Sequence, residues 1–388
     1  DGRPPLLPPH WEIRYALAGR VEPPVAAGAR VTPAPCRRNL GKPSPRKPLA
    51  RGTHVFHYRP SITGFPGYPP VPAVFLDYAT VSFGGDLDPR PLQQVLPGLE
   101  IRDHTARQDV ASQVAGRDVV LVNKLGITRE IIEASPSLRL IALAATGTNN
   151  VDLVAAGERG IAICNLRDYC TASVVQHVFG VLLLLTQKLR EYDALVRSGA
   201  WQRGEQFCLL DYPIRELVGR RLGIVGFGTL GRGVARAASA FGMEVLVANR
   251  PGGTPVPGRV DLDELLAAVD VLSLHCPLAP ATQGMIGPSQ LSRMKRDAVL
   301  INTARGALVD AAALADALRG GRLGGAAIDV LPQEPPVDGN PLLAGDIPNL
   351  IVTPHIAWAA REARQRCIDE MAANVADFHR GGRRGRVA

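Results

Sequence analysis

Three side chains suited to acid–base and electrostatic chemistry each follow an apolar run in the second half of the chain. They are Arg305, Glu334 and His355. Histidine titrates near neutral pH and can give a proton to a developing alkoxide, and a neighbouring carboxylate favours its charged form. Arginine offers a fixed, bidentate cation for a carboxylate and a polarised carbonyl. Reduction of a 2-keto acid requires these groups.

A glycine-rich turn predicts a dinucleotide site. An apolar run leads into Gly226-x-Gly228-x-x-Gly231, and helix-forming residues follow. The first glycine permits a tight turn, the second lets a pyrophosphate approach the backbone, and the third lets helix and strand pack closely. The first amides of the helix, at Thr229 and Leu230, are then expected to face the phosphates.

Parallel sheets are needed to bring these residues together, because ligands in open α/β sheets bind beyond the carboxyl ends of the strands. Apolar runs separated by helix-sized spacers predict two such sheets. The first has predicted strands at 74–76, 119–122, 140–144 and 161–164, and the second at 222–225, 245–248, 271–274, 299–302, 326–330 and 351–353.

This order predicts an α/β chain with two doubly wound parallel-sheet domains, in which a Rossmann dinucleotide-binding domain is inserted into a flavodoxin-like substrate domain. The predicted substrate domain comprises residues 73–170 and 357–388, and the dinucleotide-binding domain comprises residues 171–356. A long helical pattern from Thr171 to about Ser198 suits either packing between the domains or a contact in a homodimer. A helix at 362–380 would return the chain to the first domain.

Residues 1–72 are predicted to be a disordered leader rich in proline and arginine. Residues 1–70 contain nine arginines and two lysines against three acidic residues, which accounts for the formal net charge of +8. The rest of the chain therefore has a formal net charge of about zero, which gives no reason to expect that it binds nucleic acid. The leader could be a dispensable segment, a targeting segment or an interaction tail.

Apolar runs and cysteines narrow the class of protein further. No apolar run approaches the roughly 20 residues that cross a bilayer, so no membrane partner is expected. The six cysteines form no CxxC pair and match no zinc template. We therefore expect a reduced, cytoplasmic chain without a metal site.

Four motifs, in this order, resemble those of the D-isomer-specific 2-hydroxyacid dehydrogenases over about residues 73–385. They are the glycine loop, NTARG at 302–306, DVLPQEPP at 329–336 and PH at 354–355. The resemblance implies an NAD(P)-dependent oxidoreductase in which Arg305 orients the substrate, Glu334 pairs with His355, and His355 is the acid/base. It also implies that Asp329 contacts the nicotinamide carboxamide.

The resemblance further implies that backbone amides near Lys124 and Leu125 hold the substrate carboxylate. His275 is expected to border the adenine side of the cleft, and His177 to pack within the long helix. Other residues expected along the cofactor are Cys276, Pro277, Thr282, Thr303 and Ala304.

Trp358 points to one branch of the family. Its position three residues after His355 resembles the glycerate dehydrogenase or hydroxypyruvate reductase branch. A tryptophan there would narrow the pocket and favour small keto acids such as hydroxypyruvate and glyoxylate, unless it only packs in the core. The sequence leaves open another dehydrogenase of the family, for phosphoglycerate or lactate-like acids, and a dinucleotide-sensing, corepressor-like binding protein.

The residues after the second strand of the dinucleotide domain bear on the choice of cofactor. NAD-specific sites place an acid there to bind the ribose 2′-hydroxyl. This chain has Asn249 and Arg250 instead. A neutral amide removes the repulsion of a 2′-phosphate and an arginine can bind one, so we expect NADPH to be accepted. Preference for NADPH over NADH stays open, as does a solvent-facing Arg250.

Overall fold

The structure, a computed structural model, describes residues 71–388. The predicted disordered leader at 1–72 lies outside the described residues, apart from its last two positions. The described residues form two parallel sheets, each covered by helices.

The first sheet has five parallel strands in the order β2-β1-β3-β4-β5. The strands are β1 (Ala73–Phe75), β2 (Glu100–Ile101), β3 (Val119–Val122), β4 (Leu140–Leu143) and β5 (Ala162–Cys164). The helices between them are α1 (Arg90–Val95), α2 (Val110–Val114), α3 (Arg129–Glu133) and α4 (Leu153–Glu158). Strands β3 and β4 are apolar throughout because both of their faces are buried.

Three helices connect this sheet to the second: α5 (Thr171–Thr186), α6 (Leu189–Arg197) and α7 (Ala200–Arg203). The single helix predicted from Thr171 to about Ser198 is wrong. Lys188 adopts the left-handed conformation, and α5 and α6 meet at 56°. Within residues 71–388 no single helix is long and apolar enough to cross a membrane, although the bent pair α5 and α6 meets that test jointly by length and composition.

The second sheet has six parallel strands in the order β11-β10-β9-β8-β6-β7. The strands are β6 (Arg221–Val225), β7 (Glu244–Val247), β8 (Val271–Leu274), β9 (Val299–Asn302), β10 (Gly325–Ile328) and β11 (Leu350–Val352). Helices α8 (Thr229–Ala240), α9 (Leu262–Ala268), α10 (Pro288–Arg293) and α11 (Ala311–Arg319) cover it. The predicted α/β class with two doubly wound parallel sheets is confirmed.

The last helix, α12 (Arg361–His379), returns to the first sheet. Its Cys367, Met371 and Val375 are buried in one cluster with Phe75 and Leu121 of that sheet. We call the first sheet, its helices and α12 the first lobe, and the elements from α5 to β11 the second lobe. On the basis of this packing we propose domain boundaries after residues 170 and 356.

In both parallel sheets the order of the strands reverses once along the chain. The switch lies between β1 and β3 in the first sheet and between β6 and β8 in the second. Such a switch point opens a crevice at the carboxyl edge of a sheet, where ligands bind. Each lobe therefore offers one crevice, and the residues that follow β1, β3, β6 and β8 line them.

Candidate active site

Arg305, Glu334 and His355 come from the carboxyl ends of three adjacent strands, β9, β10 and β11. His355 Nδ1 lies 2.6 Å from Glu334 Oε2. Partial burial raises the pKa of Glu334, but hydrogen bonds from His355 and from the Leu331 amide, with the charge of Lys124 nearby, outweigh it. The pKa of Glu334 therefore lies below its usual range, and its carboxylate is available to the imidazole.

The backbone of His355 is held in an unusual conformation. Its φ of 55° lies in the left-handed region, which residues other than glycine rarely adopt. Its amide donates to the Asp329 carbonyl at 2.7 Å, and the Asp329 carboxylate accepts from the Ile356 and Ala357 amides at 2.9 Å. The indole of Trp358 donates to the His355 carbonyl at 2.9 Å. These bonds fix where the imidazole points.

Asp329, expected to contact the nicotinamide, is only 2% exposed. Its carboxylate also accepts from the Thr353 hydroxyl at 2.6 Å, and the ring of His177 lies 3.3 Å from that hydroxyl. His177 packs beside the site as well as in α5, which the sequence did not indicate. Asp329 thus acts in the structure as the acceptor that shapes the loop bearing His355.

Arg305 spans the two lobes. Its Nη1 donates to the Ala304 carbonyl at 2.7 Å, and the buried Asn302 amide donates to the Arg305 carbonyl at 2.9 Å. Its Nη2 would lie 2.5 Å from a Cβ at Gly147, which follows β4 of the first lobe. A side chain at position 147 would therefore require the guanidinium to shift. Sequence reasoning missed Gly147, although its place just after a predicted strand was a usable signal.

The expected role of the amides near Lys124 and Leu125 needs correction. The Asp77 carboxylate accepts from three successive amides, those of Asn123 at 2.8 Å, Lys124 at 2.7 Å and Leu125 at 3.1 Å. These donors are already occupied and do not await a substrate carboxylate. Asp77 follows β1 and is 4% exposed, so it ties together the switch point of the first lobe. It was not among the residues predicted from the sequence.

Trp358 lies at the boundary of the site and not only in a core. Its ring meets Tyr169 edge-on, with the centroids 6.3 Å apart. The ammonium of Lys124 lies 6.0 Å from the centroid of the indole. The side chains of Lys124 and Trp358 are thus placed together, while Leu125 packs against the core behind the sheet.

The glycine loop has the geometry that a pyrophosphate requires. Gly226 has φ of 97°, and a Cβ there would lie 2.5 Å from the Cys276 amide nitrogen. A Cβ at Gly231 would collide with the Gly226 carbonyl, whereas Gly228 faces open space. Helix α8 begins at Thr229, directly after Gly228, so its first amides border that space.

Two buried polar atoms beside this loop have no partner among the described residues. They are Nδ1 of His275, after β8, and Oγ1 of Thr303, after β9. Burial lowers the pKa of His275 to about 4, so the ring is neutral at pH 7. Buried polar atoms are nearly always hydrogen-bonded. Their position between the glycine loop and Asp329 fits the ribose and phosphate oxygens of a nicotinamide dinucleotide.

The other predicted cofactor residues are placed less directly. The Thr282 hydroxyl is occupied, accepting from the Ala279 amide at 2.8 Å and lying 2.9 Å from the Pro277 carbonyl. Cys276 is buried, with its sulfur 3.9 Å from that of Met285. These residues shape the turn after β8, and any contact with the cofactor would come from their backbone.

Asn249 follows β7 as expected, but its amide serves its own loop. Its oxygen accepts from the Val256 amide at 3.0 Å, and its nitrogen donates to Asp261 at 2.9 Å. The Asn249 side chain therefore closes its own loop, and its place along the cofactor stays a prediction. Arg250 is exposed, which agrees with the alternative that it only faces solvent. Arg259 lies over the ring of Phe227 within the glycine loop, 6.0 Å from its centroid.

Comparison with known proteins gives this geometry its context. The family model described as D-isomer specific 2-hydroxyacid dehydrogenase, NAD binding domain, matches residues 179–357. The glycerate dehydrogenase of Methylorubrum extorquens is 46% identical over 274 residues, which is 71% of this chain and 86% of that protein. The hydroxypyruvate reductase of Blautia hydrogenotrophica is 36% identical over 304 residues, 76% of this chain and 94% of that protein.

A solved structure shows the same architecture with a nucleotide bound. The acyclic imino acid reductase in complex with NADPH and D-Arg has a TM-score of 0.71 and 26% sequence identity to this chain. The match covers 81% of this chain and all of that one. Together with the family model, this shows that the second lobe is a nicotinamide dinucleotide-binding domain. Among residues 71–388, no group of three His, Cys, Asp or Glu side chains could hold a metal ion.

Proposed function

Because this chain belongs to the family of D-isomer specific 2-hydroxyacid dehydrogenases, we propose that it reduces hydroxypyruvate and glyoxylate to the corresponding 2-hydroxy acids. For hydroxypyruvate the product would be D-glycerate. The observation that carries the proposal is the 2.6 Å contact between His355 and Glu334, with Arg305 on the neighbouring strand end. These are the acid, its carboxylate partner and the cation that the reaction needs.

The chemistry follows from the placement of each group. Since Glu334 occupies Nδ1 of His355, Nε2 is the nitrogen that donates a proton to the carbonyl oxygen at C2. The guanidinium of Arg305 orients the substrate and stabilises the negative charge that develops on that oxygen. A bound reduced nicotinamide would supply the hydride that reaches C2. One proton and one hydride convert the ketone or aldehyde to an alcohol.

A spectrophotometric panel tests the function. Oxidation of NADH and NADPH is followed with hydroxypyruvate, glyoxylate and pyruvate. His355→Ala should lose at least about 100-fold in kcat/KM and retain cofactor binding, since general acids contribute about 10²- to 10⁴-fold. His104→Ala, at an exposed position in the first lobe, is the matched control. Activity of His355→Ala within tenfold of the wild type would refute the assignment of the acid.

Acceptance of NADPH is part of this proposal. It is supported by the absence of an acid directly after β7, by the exposed Arg250, and by Arg259 over the glycine loop. Asp261, held by Asn249, opposes it. Arg250→Ala should lower kcat/KM for NADPH by about 10- to 100-fold, because a charged hydrogen bond is lost, and spare NADH. Equal losses with both cofactors, or none, would refute a role in binding the 2′-phosphate.

A homodimer is also proposed. Between residues 189 and 218 eight large apolar side chains are exposed, and an exposed apolar patch is a mark of an interface. They are Leu189, Val196, Trp201, Phe207, Leu210, Tyr212, Ile214 and Val218. Phe207 is 94% exposed and Leu210 is 80% exposed. The double variant Phe207→Asp, Leu210→Asp should sediment as a monomer, and a monomeric wild type at micromolar concentration would contradict the proposal.

The proposed location is the cytoplasm. It is supported by the cysteines of residues 71–388, all of which are free thiols: Cys164, Cys170, Cys208, Cys276 and Cys367. Cell fractionation with an antibody to the protein tests this. Recovery in a membrane or secreted fraction would overturn it.

A further inference from the structure

The ammonium of Lys124 lies in the cleft without a partner. Its backbone is fixed, because the Lys124 amide donates to Asp77 at 2.7 Å. Its side chain lies in the cleft, where solvent reaches it but protein flanks the ammonium, and Nζ makes no hydrogen bond or ion pair with any residue in the range 71–388. Nζ lies 6.0 Å from the centroid of the Trp358 indole. An anchored backbone that presents a free cation beside the catalytic loop suggests that the cation awaits a ligand.

The charges around Lys124 support this reading. Protein surrounding the ammonium lowers its pKa, and Arg305 lowers it further, while Glu334 and Asp77 act in the opposite direction. Because the two cations repel one another, their common neighbourhood favours an anionic or strongly polar guest. A 2-keto acid, with its row of oxygen atoms, is such a guest.

Each of the three carbons of hydroxypyruvate carries oxygen, and different side chains of the site can bind these oxygens. The C2 carbonyl belongs to His355 and Arg305, and Arg305 also reaches across the cleft to Gly147 for the carboxylate. The substituent at C3 extends from C2 on the opposite side from the carboxylate. The ammonium of Lys124 lies over the indole of Trp358, three residues after His355, so it is placed at the catalytic loop.

From this arrangement we propose that the ammonium of Lys124 recognises an oxygen on C3 of the substrate. The enzyme therefore selects 2-keto acids that carry oxygen at C3, such as hydroxypyruvate, over pyruvate. This inference rests on the proposed function and names the part of the site that sets the substrate class. The methyl group of pyruvate would leave the ammonium without an acceptor, and sites built to bind a hydroxyl reject analogues that lack it.

The test compares Lys124→Met and Lys124→Arg with the wild type on hydroxypyruvate, glyoxylate and pyruvate. Lys124→Met keeps the length of the side chain and removes the donor. It should lower the ratio of kcat/KM for hydroxypyruvate to that for glyoxylate by about 10- to 100-fold, the value of one charged hydrogen bond. Lys124→Arg should restore most of the ratio. Lys295→Met, which removes a lysine paired with Asp270 far from the catalytic loop, should keep the wild-type ratio.

Two outcomes would overturn the inference. Equal losses on all three keto acids would mean that Lys124 holds the carboxylate, and an unchanged ratio would mean that it touches no substrate. A wild type that reduces none of the acids would instead refute the proposed function. In that case calorimetric binding of D-glycerate and D-lactate, in the presence of oxidised cofactor, gives the same comparison without turnover. Lys124→Met should then erase a preference for D-glycerate, and a wild type without that preference refutes the inference.

Discussion

Replacing Glu334 with glutamine tests the pair at the centre of the proposed chemistry. The amide keeps the size of the side chain and removes its negative charge. In the structure the carboxylate holds Nδ1 of His355 at 2.6 Å, so it fixes the tautomer of the ring and stabilises the imidazolium. Glutamine retains an acceptor but no longer balances the charge. We therefore expect the loss to fall on kcat, with cofactor binding unchanged.

The magnitude follows from the exposure of the two side chains. A hydrogen bond to a charged group contributes about 1.5–3 kcal/mol. The side chains of His355 and Glu334 are 29% and 36% exposed, so solvent screens the pair and the lower part of that range, about 1.5–2 kcal/mol, applies. Since about 1.4 kcal/mol corresponds to tenfold, Glu334→Gln should lower kcat/KM for hydroxypyruvate by about 10- to 30-fold.

The pH profile adds a second readout. Because the pKa of Glu334 lies below its usual value of about 4.3, the pair is intact above that pH and is lost only as the pH falls through the lowered pKa. The ratio of wild-type to variant kcat/KM should shrink below about pH 5, as the carboxylate of the wild type becomes protonated. Asp338→Asn neutralises another acid of the same loop and serves as the control. A loss below threefold with Glu334→Gln, or one equalled by Asp338→Asn, would refute the reasoning.

Three further substitutions probe the groups that support the site. Gly147→Ala should displace the guanidinium of Arg305 and lower kcat/KM by about 10- to 100-fold, with an unchanged melting temperature, because the Cβ meets only the mobile end of that side chain; a normal kcat/KM would show that the cleft adapts. Asp77→Asn should raise KM for hydroxypyruvate and lower the free energy of unfolding by about 1.5–3 kcal/mol in denaturant titrations, since a buried charged acceptor of three amides is lost; a change in KM without a change in stability would contradict the clamp. Asp86→Asn should cost about 1.5–3 kcal/mol at pH 7, because Arg364 of α12 holds the pKa of Asp86 well below its usual value of about 3.9. The stabilisation is present above that value and disappears as the pH falls through the lowered pKa, so a cost that persists in strong acid would contradict it.

The central strands of both sheets could be predicted because they are buried on both faces. Val119–Val122 and Val299–Asn302 are short, largely apolar runs, and both are strands at those bounds. Strand β2, Glu100–Ile101, was missed because it has two half-buried residues and no pattern. The break between α5 and α6 was missed as well, because Lys188 is an ordinary helix former whose left-handed conformation no local rule foretells.

The residues of the candidate site divide in the same way. Arg305, Glu334 and His355 could be located because each follows a predicted strand, and parallel strands end at one edge. The contacts that orient these residues could not be predicted, because such contacts depend on how distant segments of the chain approach each other. Nothing local indicates that Asp77 would occupy the amides of Lys124, or that Gly147 would face Arg305.

The two switch points explain why the site is divided between the lobes. The crevice of the second lobe, beside the glycine loop, suits an extended dinucleotide, whose pyrophosphate backbone amides can bind. In the crevice of the first lobe, Asp77 already accepts from three amides after β3, which a small anion could otherwise have used. The side chain of Lys124, which Asp77 positions, is then a cation of the first lobe that can recognise the ligand. A substrate that carries an oxygen at C3 would then be selected by the first lobe and reduced by the second.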